Sequence, residues 1–142
     1  MASASTTEVF PCSVDEFYKI VTDYESYPLF LDEVKDLKII EKKEEKVLVE
    51  YGVNVIKKFK YKLWMDHSKP NQVHWIFAGG DIFKRMQGSW ELSDEAGKTR
   101  AVYKVDADFG MFVPSPITKG LISANLPNMI SSFHARIKEV YG

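Results

Sequence analysis

Cysteine is almost absent: Cys12 is the single one in 142 residues. No internal disulfide can form, no second thiol or adjacent histidine suggests a metal site or a thiolate nucleophile, and a reducing compartment fits. Cys12 reads as a small buried hydrophobe. Long apolar runs are missing as well. The longest, Leu29 to Leu31 and Trp75 to Ala78, fall far short of the roughly 18 to 20 residues that cross a bilayer. Charge of one sign is not in excess, with 19 Lys and Arg against 20 Asp and Glu. Such a chain has no global field to attract a polyanion, so DNA is not an expected partner. The start, Met1 to Thr7, carries neither the positive nor the apolar region of a secretory signal, and a cytoplasmic location is expected, with peripheral contact at a membrane surface left open. No repeat, low-complexity tract or Pro/Gly/Ser-rich linker divides the chain, so residues 1–142 are read as one domain.

Aromatic residues, by contrast, are plentiful: nine Phe, seven Tyr and three Trp, 13% of the chain. Many stand in strand-like alternation. Residues 3–10 read as a first strand. Ser13, with Glu16 three residues on, has capping-box spacing, and Val14, Phe17, Ile20/Val21 and Tyr24 follow at helical period. Ser26-Tyr27-Pro28 offers a second, short helix. From about residue 34 the period falls to two. Strands are predicted over 34–41 and 46–52 around a turn at 42–45. Others follow through Phe59, Tyr61, Leu63 and Met65, then Val73, Trp75 and Phe77, then Met86, Gly88, Trp90 and Leu92. A last strand runs from Thr99 to Phe109 after a turn at 94–97. A long helix follows Pro114, with Ile122, Leu126, Met129, Phe133 and Ile137 on one face, and Pro127 predicts a kink or break in it.

The order strand, two short helices, six-stranded meander and long helix resembles the helix-grip fold of the START-like (SRPBCC) superfamily. Val14 to Leu31, with Tyr27-Pro28 and Phe30 at its centre, is similar to the opening of the coenzyme Q-binding, polyketide cyclase-like branch. Gly80-Asp81-Ile82-Phe83-Lys84, Gly88-Ser89-Trp90 and Thr99 to Tyr103 match that branch's later strands. The resemblance implies an α+β domain whose seven-stranded antiparallel sheet (β-α-α-β6-α) wraps a long C-terminal helix and leaves a cavity between them.

In an antiparallel meander alternate turns lie at one end of the sheet. The turns near 52–54 and 79–82 and the exit at 110–114 should therefore cluster, carrying Val53, Ile82, Phe83, Met111, Phe112 and Val113. Apolar residues at such a rim frame a mouth, or else cap the core. The expected lining is Phe59, Tyr61, Leu63, Trp75, Phe77, Phe83, Met86, Trp90, Tyr103, Val105, Phe109, Phe112, Leu121, Ile122, Leu126 and Met129. The alternative for each is plain core packing. The inward set contains no carboxylate, lysine or histidine, and its polar handles are the Tyr61 and Tyr103 hydroxyls and the Trp75 and Trp90 indoles.

No catalytic residue, metal site or cofactor is expected. His67, His74 and His134 read as solvated surface residues, and Gly79-Gly80 lacks the Lys-Ser/Thr of a phosphate loop. Asp106 and Asp108, and Asp32 and Asp36, read as solvated charge. Lys57, Lys58, Lys60 and Lys62 form a basic run, with Glu41, Glu44, Glu45 and Glu50 on neighbouring strands to offset it. The expected function is non-enzymatic binding, transport or chaperoning of a hydrophobic small molecule, a quinone, lipid or polyketide-like compound. By resemblance that ligand is ubiquinone. The same resemblance implies an alternative, a ribosome-associated, toxin-like interaction protein of that branch, for which only the lysine run speaks here. A polyketide aromatase/cyclase-type enzyme is the third reading, disfavoured by a cavity whose inward polar groups are tyrosines.

Overall fold

The change of period near residue 34 marks the start of the meander in the structure, a computed structural model that describes residues 2–55, 57–110 and 113–142. Strand β1 (Ala2–Phe10) leads into helix α1 (Val14–Thr22), a 3-10 turn (Tyr24–Ser26) and the single turn α2 (Tyr27–Phe30). Six strands follow: β2 (Val34–Lys43), β3 (Lys46–Val55), β4 (Lys57–Asp66), β5 (Gln72–Gly80), β6 (Phe83–Glu95) and β7 (Lys98–Phe109). The C-terminal segment comprises α3 (Ser115–Lys119), a π-helical turn (Gly120–Ala124) and α4 (Leu126–Tyr141). The sheet order is β1-β7-β6-β5-β4-β3-β2, with every neighbouring pair antiparallel. This is the expected seven-stranded helix-grip architecture.

Local chemistry accounts for the element boundaries. Ser13 caps α1 reciprocally: the Glu16 amide donates to Ser13 Oγ at 3.2 Å and the Ser13 amide donates to Glu16 Oε1 at 3.0 Å. Two orphan donors are satisfied at once. Pro28 occupies the first turn of α2, where its missing N–H costs nothing. The β6–β7 turn is tighter than the expected 94–97. Pairing continues to Glu95 and Lys98, leaving a two-residue loop in which Ala96 and Gly97 have φ of 53° and 86°. Positive φ at both positions matches the twist of the flanking strands, so the ladder can run to its end.

The C-terminal helix is interrupted where Pro127 predicted. Pro127 lies in the first turn of α4, and the preceding turn is π-helical. Proline has no N–H to give the carbonyl four residues back. That carbonyl, Ser123 O, accepts instead from the Asn125 amide. The chain thereby enters α4 along a changed path, while Ile130, Phe133 and Ile137 stay buried on its inner face.

One end of the grip is packed solid. Phe10 and Phe17 stack with ring centroids 4.3 Å apart, and Phe17, Trp90 and Phe133 meet pairwise at 5.5 to 5.9 Å. Thr99 is fully buried, and its hydroxyl donates to Cys12 O at 2.9 Å, closing the β1–α1 corner onto β7. Replacing Ser13 by Ala should cost about 1 kcal/mol and lower the melting temperature by a few degrees. Calorimetry checks this; an unchanged midpoint would show the cap to be dispensable.

Candidate functional site

Away from the solid end, sheet and helix do not meet completely. A cavity of about 140 Å³ lies between them. Of the expected lining, Tyr61, Leu63, Trp75, Phe83, Met86, Trp90, Tyr103, Val105, Leu121, Ile122, Leu126 and Met129 face it. Strand phase brings the β4 to β7 residues together, and the interrupted helix contributes the rest. Phe77 and Phe109 stand one layer back: they flank Phe83, with ring centroids 5.9 and 4.8 Å from its own. Phe59, half-buried and paired with Val53, packs against the core rather than the cavity. Phe112, with Met111, lies outside the described residues.

The lining also holds residues that the strand pattern did not assign to it. Val21 and Tyr27 come from the N-terminal helices, Leu31, Glu33 and Val34 from the segment entering β2, and Tyr51, Val53 and Met65 from β3 and β4. Gly120, Asn125 and Phe133 complete the helical wall. The β3 residues were readable, because Val49, Tyr51 and Val53 alternate with Leu48, Glu50 and Gly52. Glu33 had no such signal, and it corrects the expectation of a cavity without a carboxylate.

Trp75 is positioned by the residue across from it. It pairs with Gly88, and a β-carbon added there would lie 2.3 Å from the indole Cζ2. Only glycine leaves room for the ring to lie over β6. Gly80 has a comparable constraint at the rim, where a β-carbon would fall 2.5 Å from the Tyr61 Cα and φ is +132°. There the Asp81 amide donates to Lys60 O at 2.8 Å and the Lys60 amide donates to Asp81 Oδ2 at 3.0 Å. The Gly110 amide donates to Ile82 O at 2.7 Å, and the Asn54 amide to Glu33 O at 2.9 Å. These links gather the expected turns at one end of the sheet.

The polar groups of the cavity are phenols, one carboxylate and one amide. Burial, the largest cause, holds the phenols of Tyr27, Tyr51, Tyr61 and Tyr103 well above their usual pKa, and the Glu33 charge adds to the effect on Tyr61 and Tyr103. They stay protonated hydrogen-bond donors. Tyr27 Oη donates to Val21 O, and Tyr51 Oη to Met65 Sδ at 3.9 Å. The Tyr61 and Tyr103 hydroxyls make no hydrogen bond to other described residues.

The histidines are less solvated than expected. His67 is half-buried, stacks on Tyr24 at 5.7 Å and shares a 2.5 Å hydrogen bond between its Nε2 and Tyr24 Oη. Burial lowers its pKa. His134 lies 4.5 Å from the Phe10 ring and 3.7 Å from the Glu8 carboxylate. Both contacts are made between elements distant in sequence, so the turn and helix patterns could not show them. Cys12 is buried, and desolvation together with the Glu16 charge pushes its thiol up to about 11.

The basic run is less offset than the strand order suggested. Lys62 pairs with Glu50, but Lys60 and Lys58 stand opposite Gly52 and Asn54. Lys57, Lys58 and Lys60 are exposed.

The profile of the family described as polyketide cyclase / dehydrase and lipid transport matches residues 10–134. The chain belongs to that family. Among its relatives is a protein of Escherichia coli K12 named ribosome association toxin RatA, 26% identical over 99% of this chain and 90% of that protein. A START superfamily protein from Mycobacterium smegmatis superposes with a TM-score of 0.85 at 19% identity, covering 97% of this chain and 98% of the other. The Zhui aromatase/cyclase from Streptomyces sp. R1128 gives 0.80 at 16% identity over 97% and 92%. The structural likenesses establish the START-like fold, which carries these different roles. Among the described residues no helix is long and apolar enough to cross a membrane.

Gly88→Ala should displace the Trp75 indole and destabilise the protein by about 1 to 3 kcal/mol. Near-ultraviolet circular dichroism and thermal unfolding check this; an unaltered indole signal would show that Gly88 does not fix the place of the ring.

Proposed function

We propose that the protein binds and carries a hydrophobic small molecule in this cavity without transforming it, a quinone or related prenyl compound being the favoured ligand through resemblance to the coenzyme Q-binding branch. The observation that supports this reading most is the void itself, lined by apolar and aromatic side chains beneath an interrupted helix. Engineered apolar cavities of about 150 Å³ stay dry and take up benzene. A void of 140 Å³ accommodates one ring. A longer tail needs the helical wall to move, and the π-helical turn at Gly120–Ala124 is where the backbone bonding of that wall is already interrupted. Burial of several hundred Å² of tail, at about 25 cal/mol per Å², supplies several kcal/mol before the costs of ordering.

Carriage rather than catalysis is favoured by the lining. Its phenols are held protonated and no histidine or lysine faces the space, which leaves few groups to exchange protons near neutral pH.

The carrier is tested by organic extraction of freshly purified protein and by titration with decylubiquinone. In a Trp64→Phe background, which removes the tryptophan outside the cavity, quenching of Trp75 and Trp90 should saturate at micromolar concentrations. Leu126→Trp should fill the space and abolish it. A protein that is always empty and never quenched would overturn the reading.

A second reading, an interaction protein that docks on a ribosomal subunit, draws on the relative named ribosome association toxin and on the uncovered Lys58 and Lys60. Co-sedimentation with ribosomal subunits that is lost on replacing Lys58, Lys60 and Lys62 by Glu would support it. Its absence at low salt would remove it.

A further inference from the structure

Of the cavity's phenols Tyr27 and Tyr51 already bond within the protein, which leaves the Tyr61 and Tyr103 hydroxyls, the Asn125 amide and the Glu33 carboxylate. Tyr61 and Tyr103 line the cavity and their hydroxyls bond to no other described residue, and the Asn125 side chain, which does not cap α4, is likewise without such a partner. None of these groups is sealed from solvent, so the cost arises when an apolar ligand covers them, and a ligand oxygen that accepts from them recovers it. Glu33 is the complementary feature. No lysine, arginine or histidine lines the cavity, and no ion pair to another described residue neutralises this carboxylate. Its backbone is held in place, because the Glu33 carbonyl accepts from the Asn54 amide. The side chain is only half-buried, so its field is partly screened, but a second anion entering the same space meets an uncompensated like charge.

We propose that the cavity selects an uncharged apolar molecule bearing a hydroxyl or carbonyl oxygen and rejects carboxylates and phosphates. Tyr61, Tyr103 and Asn125 supply the donors, and Glu33 is the residue that excludes anions. This selectivity rests on the carrier reading and narrows it: free fatty acids and acyl phosphates are not the cargo, whereas quinones, phenols and long-chain alcohols or ketones are. It also gives the one lining carboxylate a role that requires no catalysis.

Three probes of one shape separate the possibilities: naphthalene, 2-naphthol and 2-naphthoate, titrated calorimetrically into the whole chain at pH 7. The expected result is that 2-naphthol binds at least tenfold more tightly than 2-naphthoate. Glu33→Gln should bring the two within about threefold by tightening 2-naphthoate, with naphthalene unaffected. The double replacement Tyr61→Phe with Tyr103→Phe should remove the advantage of 2-naphthol over naphthalene while naphthalene itself still binds. Circular dichroism of each variant confirms that it folds. Equal binding of 2-naphthol and 2-naphthoate by the unaltered protein, or a gap that Glu33→Gln leaves in place, would overturn the selectivity. If naphthalene binds in that case, the apolar carrier stands and only the selectivity falls. If none of the three binds, the carrier reading fails and the selectivity fails with it.

Discussion

Phe133 is the side chain on which the rest of the arrangement depends. It projects from α4 between Phe17, Trp90, Tyr27 and Phe30, with centroid separations from 5.3 to 6.3 Å. Those four rings come from α1, β6 and the short turn α2, so a single residue fixes where the C-terminal helix lies over the sheet and where the N-terminal helices end. Edge-to-face contacts of this kind hold direction as well as distance. On one side of Phe133 the groove closes around Phe10, Phe17 and Ile137, all fully buried or nearly so. On the other side it opens into the cavity that Phe133 also helps to line. The same ring both ends the core and forms one wall of the site.

The hollow half persists because its walls cannot close on it. A sheet of seven twisted strands curves away from the helical segment, and the break before Pro127 sets that segment on a changed path. Gly88 lets the Trp75 indole lie over the neighbouring strand, so the ring lines the space. Tyr51 and Tyr61 stack on each other 5.4 Å apart with their planes 11° from parallel, a pairing that keeps both rings against the wall. Side chains large enough to obliterate the void are thus each committed to a contact at its edge.

How much of this the sequence discloses depends on the range of the forces involved. Strand alternation is a local property of the chain. It placed Tyr61, Leu63, Trp75, Met86, Trp90, Tyr103 and Val105 on the inner face, and the structure puts all of them at the cavity. Capping and proline effects are local too, so Ser13 and Pro127 mark their boundaries directly. Phe59, Phe77 and Phe109 show the limit of the method. They have the correct phase, but phase does not say how far along the groove a residue sits, and curvature leaves them outside the lining. Glu33 and Asn125 reach the cavity only because the α2–β2 link and the helix break are folded over it. A charged residue in a short connection looks in sequence like any solvated loop residue. The Tyr24–His67 pair is hidden for the same reason, 43 positions separating its members.

A void is not a neutral feature of a small protein. At about 24 cal/mol per Å³ for an enclosed core cavity, 140 Å³ sets an upper bound of about 3 kcal/mol of forgone stability. Native proteins have only about 5 to 15 kcal/mol to spare. The sacrifice is specific in its location, because the opposite end of the same groove is packed with stacked and edge-to-face rings and shows that these strands and this helix can pack solidly. Retaining the hollow leaves a largely apolar space, and under the carrier reading its filling by a ligand would return the lost contacts as binding energy. The outer face and the inner cavity are physically separable: substitutions on the exposed side of β4 leave the aromatic lining untouched, and filling the cavity leaves the lysines where they are. If both sites are used, loading the cavity can influence the outer face only through the strands they share, and β4 is the strand that carries Tyr61 and Leu63 inward and Lys60 and Lys62 outward.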